Sequence, residues 1–109
     1  MKINFNEIPT EVLPQFLGGE KELTRQLFCD ELNKVMKARL IPGASIGMHC
    51  HTTSSEIILI TQGGGHVLYE GQQIPLTAGD VHYCPKGHAH SLVNDSADVL
   101  DFVAVVPAQ

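Results

Sequence analysis

Short runs rich in valine, isoleucine, leucine and threonine alternate along the chain with glycine, proline and small polar residues. Helical signals are sparse, and this spacing of apolar runs between turn residues is typical of an all-β protein. The pattern predicts nine strands, at residues 23–29, 34–41, 46–51, 56–62, 66–70, 73–76, 81–84, 90–94 and 99–106.

The turns between these strands have recognisable chemistry. Gly63-Gly64-Gly65 supplies the positive φ of a tight hairpin, and Glu70-Gly71 supplies another. Polar turns at residues 30–33 and 94–96 join two further pairs of strands. Hairpins in series predict an antiparallel sheet that closes into one barrel or sandwich, which also removes exposed sheet edges.

Length and continuity favour a single domain. The chain has 109 residues, enough for one buried core but too few for two, and no linker or internal repeat divides it. We therefore expect residues 1–109 to form one domain. Before Gly19 the pattern is weaker: residues 3–8 are a candidate edge strand, and residues 10–13, between two prolines, are expected to form at most a short turn.

Composition and charge exclude several classes of protein. The formal net charge is −5 and the seven lysines and arginines are scattered, so no basic stripe is available for nucleic acid. The longest apolar runs, at residues 56–60 and 99–106, have the length of strands, which excludes a transmembrane helix. The first residues lack the apolar stretch of a secretory signal, so we expect a cytoplasmic location.

Cysteine usage fits a reduced protein. Cys29, Cys50 and Cys84 are an odd number without a C-x-x-C pair, which argues against a disulfide framework or a zinc knuckle. We expect all three to be small buried residues rather than nucleophiles.

All six histidines lie between residues 49 and 90. His49 and His51 point to one face of their strand, because side chains alternate along a strand. Glu56 opens the next predicted strand beside them, where an apolar run makes an unpaired carboxylate costly. His90 begins a later strand that a barrel can bring to the same interior point. The pattern predicts one metal site with four ligands: His49, His51, Glu56 and His90.

These residues fall on two motifs, and through them the sequence resembles the cupin family. Residues 43–63 have the form G-x5-H-x-H-x4-E-x6-G, and residues 79–94 have the form G-x5-P-x-G-x2-H-x3-N. All ten fixed positions of the two motifs are present. The resemblance implies a cupin-type double-stranded β-helix, which is a jelly-roll barrel of six or more strands, and the same four metal ligands.

The residues around the four ligands also have expected roles. The motif glycines and Pro85 shape turns, and Asn94 is expected to hydrogen-bond a nearby turn rather than the metal. His88 is expected in an exposed turn at the mouth of the site as the one spare histidine, and His66 and His82 at the surface or in a partner interface. The competing interpretation, in which core histidines simply hydrogen-bond Glu56 without a metal, fits the ligand spacing less well.

Alternation also predicts the lining of a pocket around the metal. Met36 and Leu40 share the apolar face of their strand, and Phe102 lies on the uncharged face of the last strand. Tyr83 shares a face with Val81 whose direction the sequence leaves open, and it lines the pocket if that face is interior. The predicted pocket residues are Tyr83, Phe102, Met36 and Leu40.

The ligand set points to one divalent transition metal ion but does not choose among iron, manganese, nickel, zinc and copper. Four protein ligands leave about two open positions on a six-coordinate ion, which is typical of a catalytic site. We expect a metal-dependent enzyme acting on a small polar organic molecule, with dioxygenase-type oxidation favoured and Glu56 also able to accept a proton. The alternatives are a non-oxidative isomerase, decarboxylase or lyase, and a non-enzymatic small-molecule or metal-binding module.

Self-association is a further expectation. Ile57, Leu59 and Val67 are predicted on an apolar outer sheet face, and small proteins of the family that the sequence resembles are commonly dimers. We therefore predict a homodimer.

Overall fold

Ten antiparallel strands form two sheets in the computed structural model, which describes residues 1–109. Two single-turn 3-10 helices, Phe5–Glu7 and Phe16–Gly18, flank the first strand. Neither of these helices has the length and hydrophobicity needed to span a membrane. The strands are β1 (Glu11–Pro14), β2 (Glu22–Cys29), β3 (Asn33–Leu40), β4 (His49–Cys50), β5 (Glu56–Gln62), β6 (Gly64–Tyr69), β7 (Gln72–Thr77), β8 (Val81–Cys84), β9 (Ala89–Val93) and β10 (Leu100–Pro107).

The two sheets face each other as the layers of a jelly roll, which confirms the predicted fold class. The larger sheet has the order β1-β2-β3-β10-β5-β8, and the smaller has the order β4-β9-β6-β7. The last strand of the chain therefore lies in the middle of the larger sheet. There Ala104 is paired with Met36 on one side and Ile58 on the other.

Inward side chains of both sheets form one core of fourteen buried apolar residues. The alternation predicted for the third and last strands is confirmed, because Met36 and Leu40 on β3 and Phe102 on β10 all point inward and are at most 6% exposed. The residues of the core are Leu23, Met36, Ala38, Leu40, Ala44, Ile46, Ile58, Ile60, Val67, Leu76, Leu92, Leu100, Phe102 and Ala104.

The N-terminal segment differs from the prediction in two places. Residues 3–8 do not form a strand, because the Asn4 side chain accepts a hydrogen bond from the Asn6 N–H and caps a 3-10 turn. The prediction that residues 10–13 form at most a short turn was also wrong, because β1 pairs with β2 over four residues. A proline is tolerated there because Pro14 ends a strand at the edge of the sheet.

The predicted strand 46–51 is reduced to the two residues of β4. The Ile46 N–H donates to the carbonyl oxygen of Leu92, but the Gly47 N–H turns away from the sheet and donates to that of Phe16. This change of direction lets the loop before β2 pack against Gly47, two residues before His49.

Asn94 is fully buried and holds a turn together, as predicted. Its Nδ2 donates to the carbonyl oxygens of Leu40 at 2.9 Å and Asp98 at 2.8 Å, and its Oδ1 accepts from the N–H of Ser96 at 3.0 Å. The amide thereby links the end of β3 to the turn before β10.

Candidate metal site

Four side chains from both sheets converge on one point. His49 on β4 and His90 on β9 are direct partners in the smaller sheet, Glu56 begins β5 in the larger sheet, and His51 follows β4. The three Nε2 atoms lie 3.1 Å (His49 to His51), 2.9 Å (His51 to His90) and 3.2 Å (His90 to His49) apart. Glu56 Oε1 lies 2.9 Å from His51 Nε2, 2.8 Å from His90 Nε2 and 3.7 Å from His49 Nε2.

The donor set fits a metal ion. Two donors each about 2.1 Å from one ion, at right angles, are about 3 Å apart, and the nitrogens have this spacing. Lone pairs aimed at a common point repel one another unless a cation lies between them, and a buried carboxylate also needs a positive partner. The four residues therefore form a cluster that could hold one ion.

His49 is oriented by the residue two positions before it. Its Nδ1 lies 2.8 Å from the carbonyl oxygen of Gly47, which can only accept, so Nδ1 carries the proton and Nε2 keeps a lone pair in the neutral ring. A larger residue at Gly47 would force the neighbouring loop to move, because a Cβ there would lie 1.9 Å from the carbonyl oxygen of Leu17.

His51 is held by its own loop and by the turn before β9. Its Nδ1 lies 3.2 Å from Ser54 Oγ. Its backbone N–H donates to the carbonyl oxygen of His88 at 3.1 Å, and its carbonyl oxygen accepts from the Gly87 N–H at 2.6 Å. These bonds fix a residue that lies beyond the end of its strand.

His90 has a histidine as its outer partner. Its Nδ1 lies 3.0 Å from Nε2 of His82, and the two side chains are 1% and 7% exposed. The expectation that His82 lies at the surface or in a partner interface was therefore wrong. The reason is the direction of β8, which turns His82 and Cys84 inward and Val81 and Tyr83 outward.

Glu56 and the neighbouring histidines shift one another's pKa values. Burial alone would raise the pKa of Glu56, but its contacts with the three histidines outweigh burial and hold that pKa well below its usual range. Burial likewise opposes the charged form of His49, and the contacts with Glu56 and Gly47 nevertheless raise its pKa. Burial, and then the charge of His90, lower the pKa of His82 to about 4, so this ring is neutral at pH 7.

A cavity of about 160 Å³ opens onto the cluster. Of the predicted pocket residues, Met36 lies on its wall. Leu40 and Phe102 lie deep in the core instead, and Tyr83 lies on the outer face of the larger sheet with 54% of its surface exposed. The lining residues are Phe16, Leu17, Arg25, Lys34, Met36, Ile46, His49, His51, Ser54, Glu56 and Val106.

Two basic residues of this wall were missed by sequence reasoning. Arg25 shares the inward face of β2 with Leu23 and Leu27, and Lys34 precedes Met36 on the inward face of β3. The same alternation that placed Met36 inside could have placed both. Arg25 donates through Nε to Glu11 at 3.2 Å, and its guanidinium lies 5.2 Å from the centre of the Phe16 ring.

The remaining expectations for histidine and cysteine have mixed outcomes. His88 lies in the turn before β9 with its side chain 41% exposed, as predicted, and its Nδ1 contacts Glu70 and the Tyr69 hydroxyl. It does not line the cavity of the cluster, contrary to its expected place at the mouth of the site. His66 is partly buried and pairs with Asp95 at 2.6 Å. Cys84 is buried as predicted.

Cys29 and Cys50 are exposed, contrary to the prediction. Cys50 is exposed because β4 is an edge strand with nothing packed on its outer side, and Cys29 because it ends β2 at a turn. Val67, predicted on an outer face, is fully buried because it points from β6 into the core, whereas Ile57 and Leu59 are 39% and 40% exposed.

Residues 36–106 match the cupin domain family, and the chain therefore belongs to the cupins. It is 30% identical over 112 residues to the oxalate-binding protein of Thermotoga maritima, covering 97% of this chain and 93% of that protein. It also resembles the crystal structure of a predicted oxalate decarboxylase from Thermotoga maritima, with a TM-score of 0.93, 29% identity and full coverage of both chains. A polyketide cyclase of Streptomyces resistomycificus shares the fold at 18% identity, with a TM-score of 0.82, covering 100% of this chain and 80% of that one.

Proposed function

We propose that this cupin binds one divalent transition metal ion through His49, His51, Glu56 and His90, and that the ion binds a small dicarboxylate of the oxalate type. The convergence of three imidazole nitrogens and a buried carboxylate within 2.8 to 3.7 Å is the observation that carries the proposal. Iron, manganese, nickel, zinc and copper all suit this set. Such an ion would act as a Lewis acid, with about two coordination positions open to a bidentate ligand.

The size of the cavity supports a ligand of few atoms. Its volume of about 160 Å³ is smaller than the roughly 300 to 1,000 Å³ of pockets for drug-sized molecules. A two-carbon dicarboxylate that offers two oxygens to one ion suits this space.

The charge of the wall supports an anion. Arg25 and Lys34 both line the cavity, and their charges favour a carboxylate beside the ion. Because Glu11 contacts only Nε of Arg25, the two terminal amino groups of the guanidinium are available to a ligand. The name of the oxalate-binding relative agrees with this ligand class.

Catalytic turnover of the dicarboxylate is the second candidate function. The solved structure described as a predicted oxalate decarboxylase favours it. Glu56 is the one carboxylate on the cavity wall, so a reaction that needs a carboxylate to accept a proton in the cavity would use it. The dioxygenase-type oxidation expected from the ligand set would use the same open positions. A cytoplasmic location likewise remains a prediction.

Calorimetry on protein loaded with each of the five metals tests the proposal. Oxalate is expected to bind to at least one metal-loaded form and not to the metal-free protein, and acetate, which has a single carboxylate, is expected to bind far more weakly. Carbon dioxide release and oxygen uptake, measured on the same samples, separate decarboxylation and oxidation from binding alone. Absence of oxalate binding to every loaded form would refute the ligand class.

A further inference from the structure

His82 contacts His90 through the ring nitrogen that the four-residue cluster does not use. Nε2 of His82 and Nδ1 of His90 are 3.0 Å apart, and both side chains are buried. This is the one hydrogen bond that His90 Nδ1 makes, since no carboxylate or carbonyl oxygen lies within reach of it. A proton on His90 Nδ1 can therefore be accepted only by His82.

Two facing neutral imidazole nitrogens share a single proton. If His90 Nδ1 carries it, Nε2 of His90 keeps a lone pair that can bind an ion. If His82 Nε2 carries it, His90 Nδ1 becomes the acceptor, and the remaining proton of His90 lies on Nε2, where it blocks an ion. The His82 tautomer that accepts at Nε2 is therefore the one that allows His90 to act as a ligand.

We infer that His82 is a positioning residue, which accepts a hydrogen bond from His90 Nδ1 and so presents the Nε2 lone pair of His90 to the metal. This inference rests on the metal-binding part of the proposed function. Outer partners of this kind fix the orientation and tautomer of a ligating histidine, and losing one typically weakens metal affinity by about 10- to 100-fold.

The fold holds the ring of His82 in place. His82 lies on β8 opposite Ile58 of β5, and its ring packs edge-on against Tyr69, with the ring centres 5.3 Å apart. Tyr69 on β6 is itself the direct strand partner of His90. The His82 ring is therefore in contact with both members of that pair.

A rival use of the same residues is a second ion. His82, Cys84 and His90 lie close enough together to hold one. That arrangement would remove the proton from His90 Nδ1 and would require a thiolate at Cys84, whose Sγ lies 3.6 Å from the carbonyl oxygen of His88 and donates to it as a thiol. Metal stoichiometry distinguishes the two uses.

Zinc affinity, measured by competition with a chromophoric chelator, tests the inference. His82→Leu removes the acceptor and is expected to bind zinc about 10- to 100-fold more weakly. His82→Gln keeps an acceptor oxygen at similar reach and is expected to recover most of the affinity. His66→Leu and His66→Gln are the matched controls, since His66 pairs with Asp95 outside the site.

Equal zinc affinity of the wild type and His82→Leu would overturn the role of His82 alone, whereas failure of the wild type to bind any of the five metals would refute the proposed function. Two zinc ions per chain, falling to one in Cys84→Ser, would also overturn the role.

Long-range proton–nitrogen NMR of the zinc-loaded wild type tests the inference even if His82→Leu does not fold. We expect a protonated Nδ1 on His90 and an unprotonated Nε2 on His82. A proton on His82 Nε2 would contradict the inference.

Discussion

The carbonyl oxygen of Gly47 accepts a hydrogen bond from Nδ1 of His49 at 2.8 Å, while the N–H of the same glycine donates to the carbonyl oxygen of Phe16 at 3.0 Å. One residue thus connects a proposed metal ligand to the loop that forms part of the cavity wall. The contact is possible because Gly47 has no side chain to displace Leu17.

Gly47→Ala is expected to lower metal affinity by about tenfold or more, because the added Cβ must push the Leu17 backbone away and with it the carbonyl group that orients His49. Chelator competition measures the change. Gly71→Ala is the control, since its Cβ meets nothing within 4 Å and its positive φ makes only backbone strain the expected cost. Equal metal affinity of Gly47→Ala and the wild type would argue against this orienting role.

His51→Ala and His90→Ala are expected to abolish tight metal binding. Each removes a donor from the cluster, and the loss should exceed the roughly 100-fold upper range for an outer partner. Glu56→Gln keeps the shape and removes the charge, so it should also bind weakly. Metal content after dialysis measures the effect, with His66→Ala as the variant that should retain its metal. Full occupancy of His90→Ala would contradict the assigned ligand set.

The three cysteines are expected to differ in reactivity. Burial, and then the charge of Glu56, raise the pKa of Cys84 to about 11. Because a raised pKa lowers the thiolate fraction, iodoacetamide at pH 8 should label the exposed Cys29 and Cys50 and leave Cys84 unmodified in the folded protein. Mass spectrometry should find two adducts under native conditions and three in denaturant. Three adducts within the same time in the native protein would show that Cys84 is accessible.

Asn94→Ala is expected to destabilise the fold by roughly 2–4 kcal/mol, because it removes a donor from the buried carbonyl oxygen of Leu40 and one of the two side-chain donors from the carbonyl oxygen of Asp98. Thermal unfolding should show a Tm lower by about 10 °C or more. Asn6→Ala, at an exposed position near the N-terminus, is the control and should leave the Tm nearly unchanged. Equal Tm values for the two variants would contradict the role of Asn94.

The predicted homodimer has a defined test. Ile57 faces Tyr83 and Leu59 faces Val81 across β5 and β8, and all four side chains are 39% to 58% exposed on one apolar face. We expect light scattering to give about twice the chain mass of 11.9 kDa. Leu59→Lys should give single chains by placing a charge in that face. A wild-type mass of one chain would refute the dimer.

The sequence predicted the barrel and the four converging side chains well, because the strands and three of the four side chains follow from short-range regularities, and His90 falls on the second motif. Strand alternation places His49 beside His51, and a fixed spacing brings Glu56 to the start of the next strand. β8 was harder, since its apolar residues Val81 and Tyr83 would ordinarily face inward. The structure reverses that face because His82 is buried with His90 as its partner.

The loop over the cavity could not be predicted. Gln15, Leu17 and Lys21 all have positive φ, which no pattern of apolar and polar residues encodes for such side chains. The conformation of that loop is set by contacts with residues distant in the sequence, above all with Gly47.

The donors of the candidate metal site are divided between the two sheets, with His49 and His90 in one and Glu56 in the other. An ion held by all of them would cross-link the two sheets. Because a ligand that binds only the folded state stabilises it by mass action, a chain whose layers have not yet met would gain nothing from the metal. The metal would therefore bind only after the two sheets have docked, and its removal would lower the stability of the folded chain.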